Sequence, residues 1–268
     1  MYETHWGLTR SPFSGGLDAR AFYQSPTHEE ALARLYFLVE RHRRMGLLLG
    51  PGGSGKSLLL RFFRDELGRR GAATAGLNVS GLGPEELLPR LAEQLGLMPP
   101  AAAGTATLWR MVTDRLAEYR FEQRDTVLLF DDADEAEASV LTQLVRLAKQ
   151  DVSAESRLTL VLAGRPERIG RLGPQLVELA ELRIDLELWE PTDTQQFLES
   201  SLARAGREGP VFTPAATRRL HDLTGGVPRS IGQLADLSLL AGAGADLSLV
   251  DAGTVEAVHG ELAVVQSS

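Results

Sequence analysis

The chain has 268 residues, 43% hydrophobic and 24% charged, an ordinary globular composition with room for one large domain or a large and a small one. It contains no cysteine, which excludes disulfides and thiolate metal sites, and its five histidines (His5, His28, His42, His221, His259) show no metal-ligand spacing. A net charge of −8 and a pI of about 5.3 argue against a protein that coats nucleic acid by charge alone.

In chain order, residues 1–10 hold no apolar run, so no signal peptide is read there, and no later stretch approaches the roughly 20 apolar residues of a membrane span. The expectation is a cytoplasmic protein without a membrane span. Apolar residues at helical intervals (Leu32, Leu35, Tyr36, Val39) predict a helix over 27–44. A short apolar strand follows at 46–50, then a glycine-rich turn and a helix to about 70. Arginines 41, 43, 44, 61, 64, 69 and 70 crowd this region, either as a solvated helix surface or as a local basic face. Strands are predicted at 73–80, 125–132, 157–164 and 182–188, with helices at 84–95, 107–120, 136–150 and 166–178 between them. Such alternation implies a parallel sheet covered on both faces. After Pro191 the strand patterns stop, and helices are predicted at 192–205, 214–223, 228–241 and 251–262, with prolines near their starts. The piece "AGAGAD" at 241–246 reads as a loop. The expected organisation is an N-terminal segment and helix (1–45), an α/β core (46–190) and a small all-helical domain (191–268).

Two motifs carry chemistry. "GPGGSGKS", comprising Gly50, Pro51, Gly52, Gly53, Ser54, Gly55, Lys56 and Ser57, matches G-x-x-x-x-G-K-[ST] between a strand and a helix. The glycines let the backbone wrap a phosphate, and amide N–H groups at the helix start, through Leu58, supply an anion site. Lys56 would reach the β- and γ-phosphates and Ser57 would hold Mg²⁺. Lys56 and Lys149 are the chain's two lysines, so this one is a poor candidate for chance. The second motif, "VLLFDDADEA", drives an apolar strand into two adjacent acids with a third at Asp134. Asp131 would hold Mg²⁺ at the strand tip, and Asp132 would orient or activate the attacking water.

On these motifs, together with the opening "MYETHWGLTRSPFSGGLDARAFYQSPTHEEALARL", "LVLAGRPE" and "LTGGVPRSI", the chain resembles the AAA+ ATPases of the general secretion pathway protein A (ExeA) type and, more loosely, the ATPase helpers of transposition. The resemblance implies a three-layer αβα P-loop AAA+ core with a parallel five-stranded sheet, a helical lid domain, ATP with Mg²⁺, and a homo-oligomer. It further implies roles for five positions. Arg165 falls where AAA+ proteins place a sensor of the γ-phosphate, although the family usually has Gln there. Arg183 falls at the family's "QRI" and is the candidate finger acting on a neighbouring subunit. Arg229 matches a lid arginine that reports the nucleotide, and Pro12 and Phe13 would help form an adenine pocket. Plainer readings stand beside these: a loop charge for Arg165, a pair with Asp185 or Glu181 for Arg183, capping or a pair with Asp236 for Arg229, and core packing for Phe13.

Asp132 departs from the family, which usually has Asp-Glu here. Aspartate is one methylene shorter, and misplacing a catalytic group by about 1 Å costs on the order of 10²-fold. Tight binding with turnover on the order of 1 s⁻¹ or below is therefore expected. Full-length secretion relatives carry a membrane span and a wall-binding region after the ATPase, neither of which follows here, so the expectation is a free-standing ATPase. Three functions fit: a motor or assembly ATPase, an ATP-dependent switch that recruits a protein or DNA partner, and a small-molecule kinase. Net charge does not favour DNA.

Overall fold

The structure is a computed structural model and describes residues 2–13, 22–151, 153 and 155–266. Part of the opening stretch that carries the family resemblance, 14–21, lies outside the described residues. The chain order is α1 (Tyr2–Trp6), α2 (Pro26–Glu40), β1 (Met45–Leu49), α3 (Lys56–Arg69), β2 (Ala73–Asn78), α4 (Leu87–Gln94), α5 (Thr105–Phe121), β3 (Thr126–Asp131), α6 (Ala138–Ala148), β4 (Leu158–Gly164), α7 (Pro174–Leu179), β5 (Leu182–Asp185), α8 (Pro191–Arg204), α9 (Pro214–Thr224), α10 (Pro228–Gly244) and α11 (Ala252–Gln266). Short 3₁₀ turns at Ala133–Glu135 and Pro166–Leu172 lead into α6 and α7. The chain divides into two compact units: His28–Gly52 with Lys56–Leu186, and Met1–Thr27 with Gly53–Gly55 and Glu187–Ser268.

The first unit is a five-stranded parallel sheet in the order β2-β3-β4-β1-β5 with helices on its faces. Strand alternation sorts the side chains to two sides. Leu47, Leu49, Leu128, Phe130, Leu160 and Leu162 join one apolar cluster with α4, α5 and α6. On the other face Gly46 lies directly under α2: a Cβ there would stand 2.3 Å from Leu38 Cδ1, so only glycine lets the helix this close. Register aligns the carboxyl ends of the strands along one edge, with Asn78 beside Asp131, and Leu49 beside both Gly164 and Asp185.

The second unit is helical, and its core includes residues from both ends of the sequence. Trp6, 2% exposed, packs with α8, α9, α10 and α11 and donates Nε1–H to Leu239 O at 2.9 Å. Thr9 N–H donates to Ala205 O at 2.8 Å.

Several boundaries differ from the sequence expectation. The strand expected over 182–188 ends at Asp185, because beyond Leu186 the chain enters the helical unit, where Trp189 N–H bonds Gly226 O at 3.0 Å. The helix expected over 166–178 is split at Gly173, whose φ of 78° interrupts the helical path. The stretch at 241–246 is not a loop throughout: α10 runs to Gly244, and its small residues make room for Trp6, since a Cβ on Gly242 would lie 3.0 Å from Trp6 Cζ2. The short helix α1 goes unread in the sequence.

Candidate nucleotide site

The glycine-rich turn links β1 to α3, which starts at Lys56. Gly53 and Gly55 have φ of 82° and 96°, a left-handed backbone that side chains resist. Gly52 has open space where a Cβ would be. Lys56, 7% exposed, donates Nζ–H to Gly50 O at 2.6 Å and Pro51 O at 3.0 Å. Burial pushes its ammonium below the usual lysine range, against the opposing pull of Asp131, Asp132 and Asp134. A buried cation at a helix start favours an anion, whereas the three carboxylates nearby oppose one unless a cation offsets their charge.

At the tip of β3, burial raises the Asp131 carboxyl, the Ser57 hydroxyl bonded to it opposes that rise, and the neighbouring Asp132 charge adds to it. A hydroxyl and a carboxylate in contact, both hard oxygen donors, suit Mg²⁺, which is usually held by one or two carboxylates together with phosphate oxygens and water. The residues present therefore fit the metal that the sequence motif implies. Asp132 stands in left-handed backbone (φ 52°), and its Oδ2 accepts a bond from Asn78 Nδ2 at 2.8 Å. Asn78, at the end of the neighbouring β2, was not singled out from sequence. It lies 54 positions from Asp132, and only the strand order brings the two together.

Arg165 follows β4 and is not a loose loop charge. Its Nε donates to Asp134 Oδ2 at 3.0 Å and its Nη2 donates to Glu135 Oε1. Asp134 is 1% exposed. Arg183, on the edge strand β5, donates Nε to Asp185 Oδ1 and Oδ2 at 3.0 and 2.9 Å and Nη2 to Oδ1 at 2.8 Å, the plainer of its two readings.

In the helical unit, Arg229 N–H donates to Gly53 O at 3.2 Å, and Asp236 Oδ1 is engaged by Tyr2 (2.5 Å) and Ser11 (3.1 Å). Phe13 is buried against Phe197 and Phe212, with ring centroids 5.7 and 6.4 Å apart, so packing accounts for its burial. Pro12, beside it, lies in a turn and is partly buried.

A parallel sheet whose first strand ends in a wrapped glycine turn over a buried lysine, with a carboxylate at the tip of a nearby strand, defines the P-loop class of nucleotide-binding folds. A family model for the AAA domain matches residues 39–172, and the chain belongs to that family. It is 30% identical over 268 residues to General secretion pathway protein A of Aeromonas hydrophila, an alignment covering 98% of this chain. The chain spans about half (48%) of that relative's length. Among solved structures it is similar in fold to Cdc6p of Pyrobaculum aerophilum (TM-score 0.70, 18% identity, 90% of this chain and 67% of that one). It is also similar to the Aeropyrum pernix ORC1 protein in complex with DNA (TM-score 0.69, 17% identity, 92% and 68%). The Thermotoga maritima RuvB Holliday junction branch migration motor is similar too (TM-score 0.59, 15% identity, 93% and 73%). These are AAA+ ATPases, and the three-layer P-loop fold with a C-terminal helical region is shared with them. Among the described residues no helix is long and apolar enough to cross a membrane.

Proposed function

We propose that this chain binds ATP with Mg²⁺ and hydrolyses it slowly, using the cycle to change its own shape or the assembly of a partner complex. The observation that carries this reading is the buried Lys56 ammonium, bonded to two carbonyls of its own glycine turn. The β- and γ-phosphate oxygens of a nucleotide would take over those bonds and supply the negative charge that burial of Lys56 calls for. Ser57 and Asp131 would hold Mg²⁺. When bound, the ion would offset charge on the phosphoryl oxygens. Asp132 would orient the water that attacks the γ-phosphorus, with ADP leaving and phosphate released. Arg165 would read the γ-phosphate, Arg229 would report the nucleotide, and Arg183 would act on a neighbouring subunit of a homo-oligomer once released from Asp185.

Slow turnover, on the order of 1 s⁻¹ or below, is supported by the short Asp132 side chain and its bond to Asn78. That same bond favours a second reading, an ATP-dependent switch that recruits a protein or DNA partner with little hydrolysis. The likeness to a secretion pathway protein supports a protein partner, and the likeness to ORC1, which was solved with DNA, supports DNA. The net charge of −8 weighs against DNA.

The test is steady-state ATP hydrolysis against protein concentration, with and without double-stranded DNA, alongside Lys56→Ala. A specific rate that climbs with concentration supports assembly-completed catalysis, and a flat, slow rate supports the switch. Lys56→Ala should abolish triphosphate binding, and unchanged binding in that variant sinks the nucleotide reading altogether.

A further inference from the structure

The acidic run after β3 holds a carboxylate that the hydrolytic scheme does not use. Asp134 sits in the 3₁₀ turn Ala133–Glu135 and is 1% exposed. Its Oδ2 accepts from Arg165 Nε at 3.0 Å, and its Oδ1 has no hydrogen-bond partner. That free oxygen lies against the last residue of β4: a Cβ on Gly164 would stand 2.8 Å from Oδ1. Asp134 is thus wedged between its own turn and the end of β4, and Gly164 leaves it the room. A buried carboxylate with one oxygen unpaired is costly unless a cation compensates it, and Arg165 is that cation.

The clasp also fixes how Arg165 is presented. Nε is held by Asp134 and Nη2 by Glu135, whose other oxygen accepts from Ser80 Oγ at 2.9 Å. Two anchors on a planar guanidinium set its plane, and among the described residues Nη1 makes no hydrogen bond. Gly50 N–H, at the start of the phosphate loop, donates to Gly164 O at 3.2 Å, so the clasp at the next residue, Arg165, stands beside that loop, and the charges of Arg165 and Asp134 act on Lys56 in opposite senses. A donor held in place beforehand does not have to be ordered when a ligand arrives.

We propose that Asp134 is a positioning residue for Arg165, holding the guanidinium so that its free nitrogen meets the terminal phosphate and the site prefers a nucleoside triphosphate over a diphosphate. Asp134 itself touches no substrate. The proposal rests on the nucleotide reading above and deepens it by assigning the source of the triphosphate preference. Glu135 is the weaker anchor, because it is 35% exposed and shared with Arg168 at 3.4 Å.

The experiment measures affinity for fluorescent mant-ATP and mant-ADP with Mg²⁺, and kcat and KM for ATP, in the wild type, Asp134→Asn, Arg165→Gln and the double variant. Asp134→Asn keeps the shape and removes the charge that holds Arg165. Its ATP-over-ADP preference should fall about tenfold and kcat by on the order of 10- to 100-fold, with KM for ATP changed less. In the Arg165→Gln background Asp134→Asn should add little, because both changes remove one device. Thermal melts of each variant separate this from simple unfolding. Should Arg165→Gln alone prove unstable, Gly164→Ala, which pushes on Asp134 without altering charge, should reproduce the lost preference. The proposal is overturned if Asp134→Asn leaves the ATP-to-ADP ratio unchanged, or lowers it equally with and without Arg165. Failure of the nucleotide reading looks different: the wild type would bind neither probe, or Lys56→Ala would bind both as well as the wild type does.

Discussion

Two arginines of the sheet, one just after β4 and one within the edge strand β5, are each clasped by an aspartate. At the end of β4, Arg165 meets Asp134, which is 1% exposed; on the edge strand β5, Arg183 meets Asp185, which is 49% exposed. The bonds are alike in length, 3.0 Å for the first and 2.8–3.0 Å for the second. Their consequences differ because water competes at β5 and is excluded at Asp134. A carboxylate stranded in the interior has nothing to replace its partner, whereas one at the surface is resolvated at little cost. The interior clasp is therefore a fixed part of the site. The surface clasp can open, which is what an arginine acting on a neighbouring subunit would need.

The largest expected effect tests that contrast directly. Arg165→Ala should lower Tm by on the order of 5–10 °C, since it leaves Asp134 buried and unpaired. A shift no larger than that of Arg183→Ala would erase the distinction between the two clasps. Asp132 is only partly buried and, among the described residues, is held by the Asn78 amide and makes no ion pair, so it is freer to be re-aimed than Asp134. Asp132→Glu should raise turnover by roughly tenfold if the shorter side chain is what sets the rate, and an unchanged kcat would remove Asp132 from the water-positioning role.

Asp131 sharpens the comparison through pH. Burial raises its carboxyl above the ordinary 3.8, so the folded chain retains a proton that the unfolded chain has lost. Its stabilising contribution is complete below 3.8 and disappears as pH rises through the raised value. Asp131→Asn should melt progressively higher than the wild type over that rise and run parallel to it beyond. Melting curves of the two that stay parallel from pH 3.5 to 7 would contradict the shift. The smallest effect belongs to the surface pair, where Arg183→Ala should move Tm by under about 2 °C while flattening any dependence of ATP turnover on protein concentration. A concentration dependence that survives the change would show that Arg183 completes no neighbouring site.

Much of the site was legible because its signals are local. Gly50, Gly55, Lys56 and Ser57 lie within one turn and one helix start, and the run from Val127 into Asp131 announces a buried strand with a polar tip. The partners of those residues were not legible. Asn78 reaches Asp132 across 54 positions, and Arg165 reaches Asp134 across 31. Neither pair has a spacing that any one helix or strand would produce, so no periodicity could reveal it.

The sequence alone determined the alternation of strands and helices, the phosphate-loop motif and its acidic companion, because these follow from the backbone needs of single elements and from side chains close together in the chain. Only the tertiary structure decided which charges are paired and which small residues are spacers. Gly242 reads as a loop glycine until Trp6 packs against it, and Gly164 reads as a strand end until Asp134 fills the space beside it. The reason is physical: the cost of a buried charge or a missing side chain is set by what surrounds it, and those neighbours are supplied by the fold.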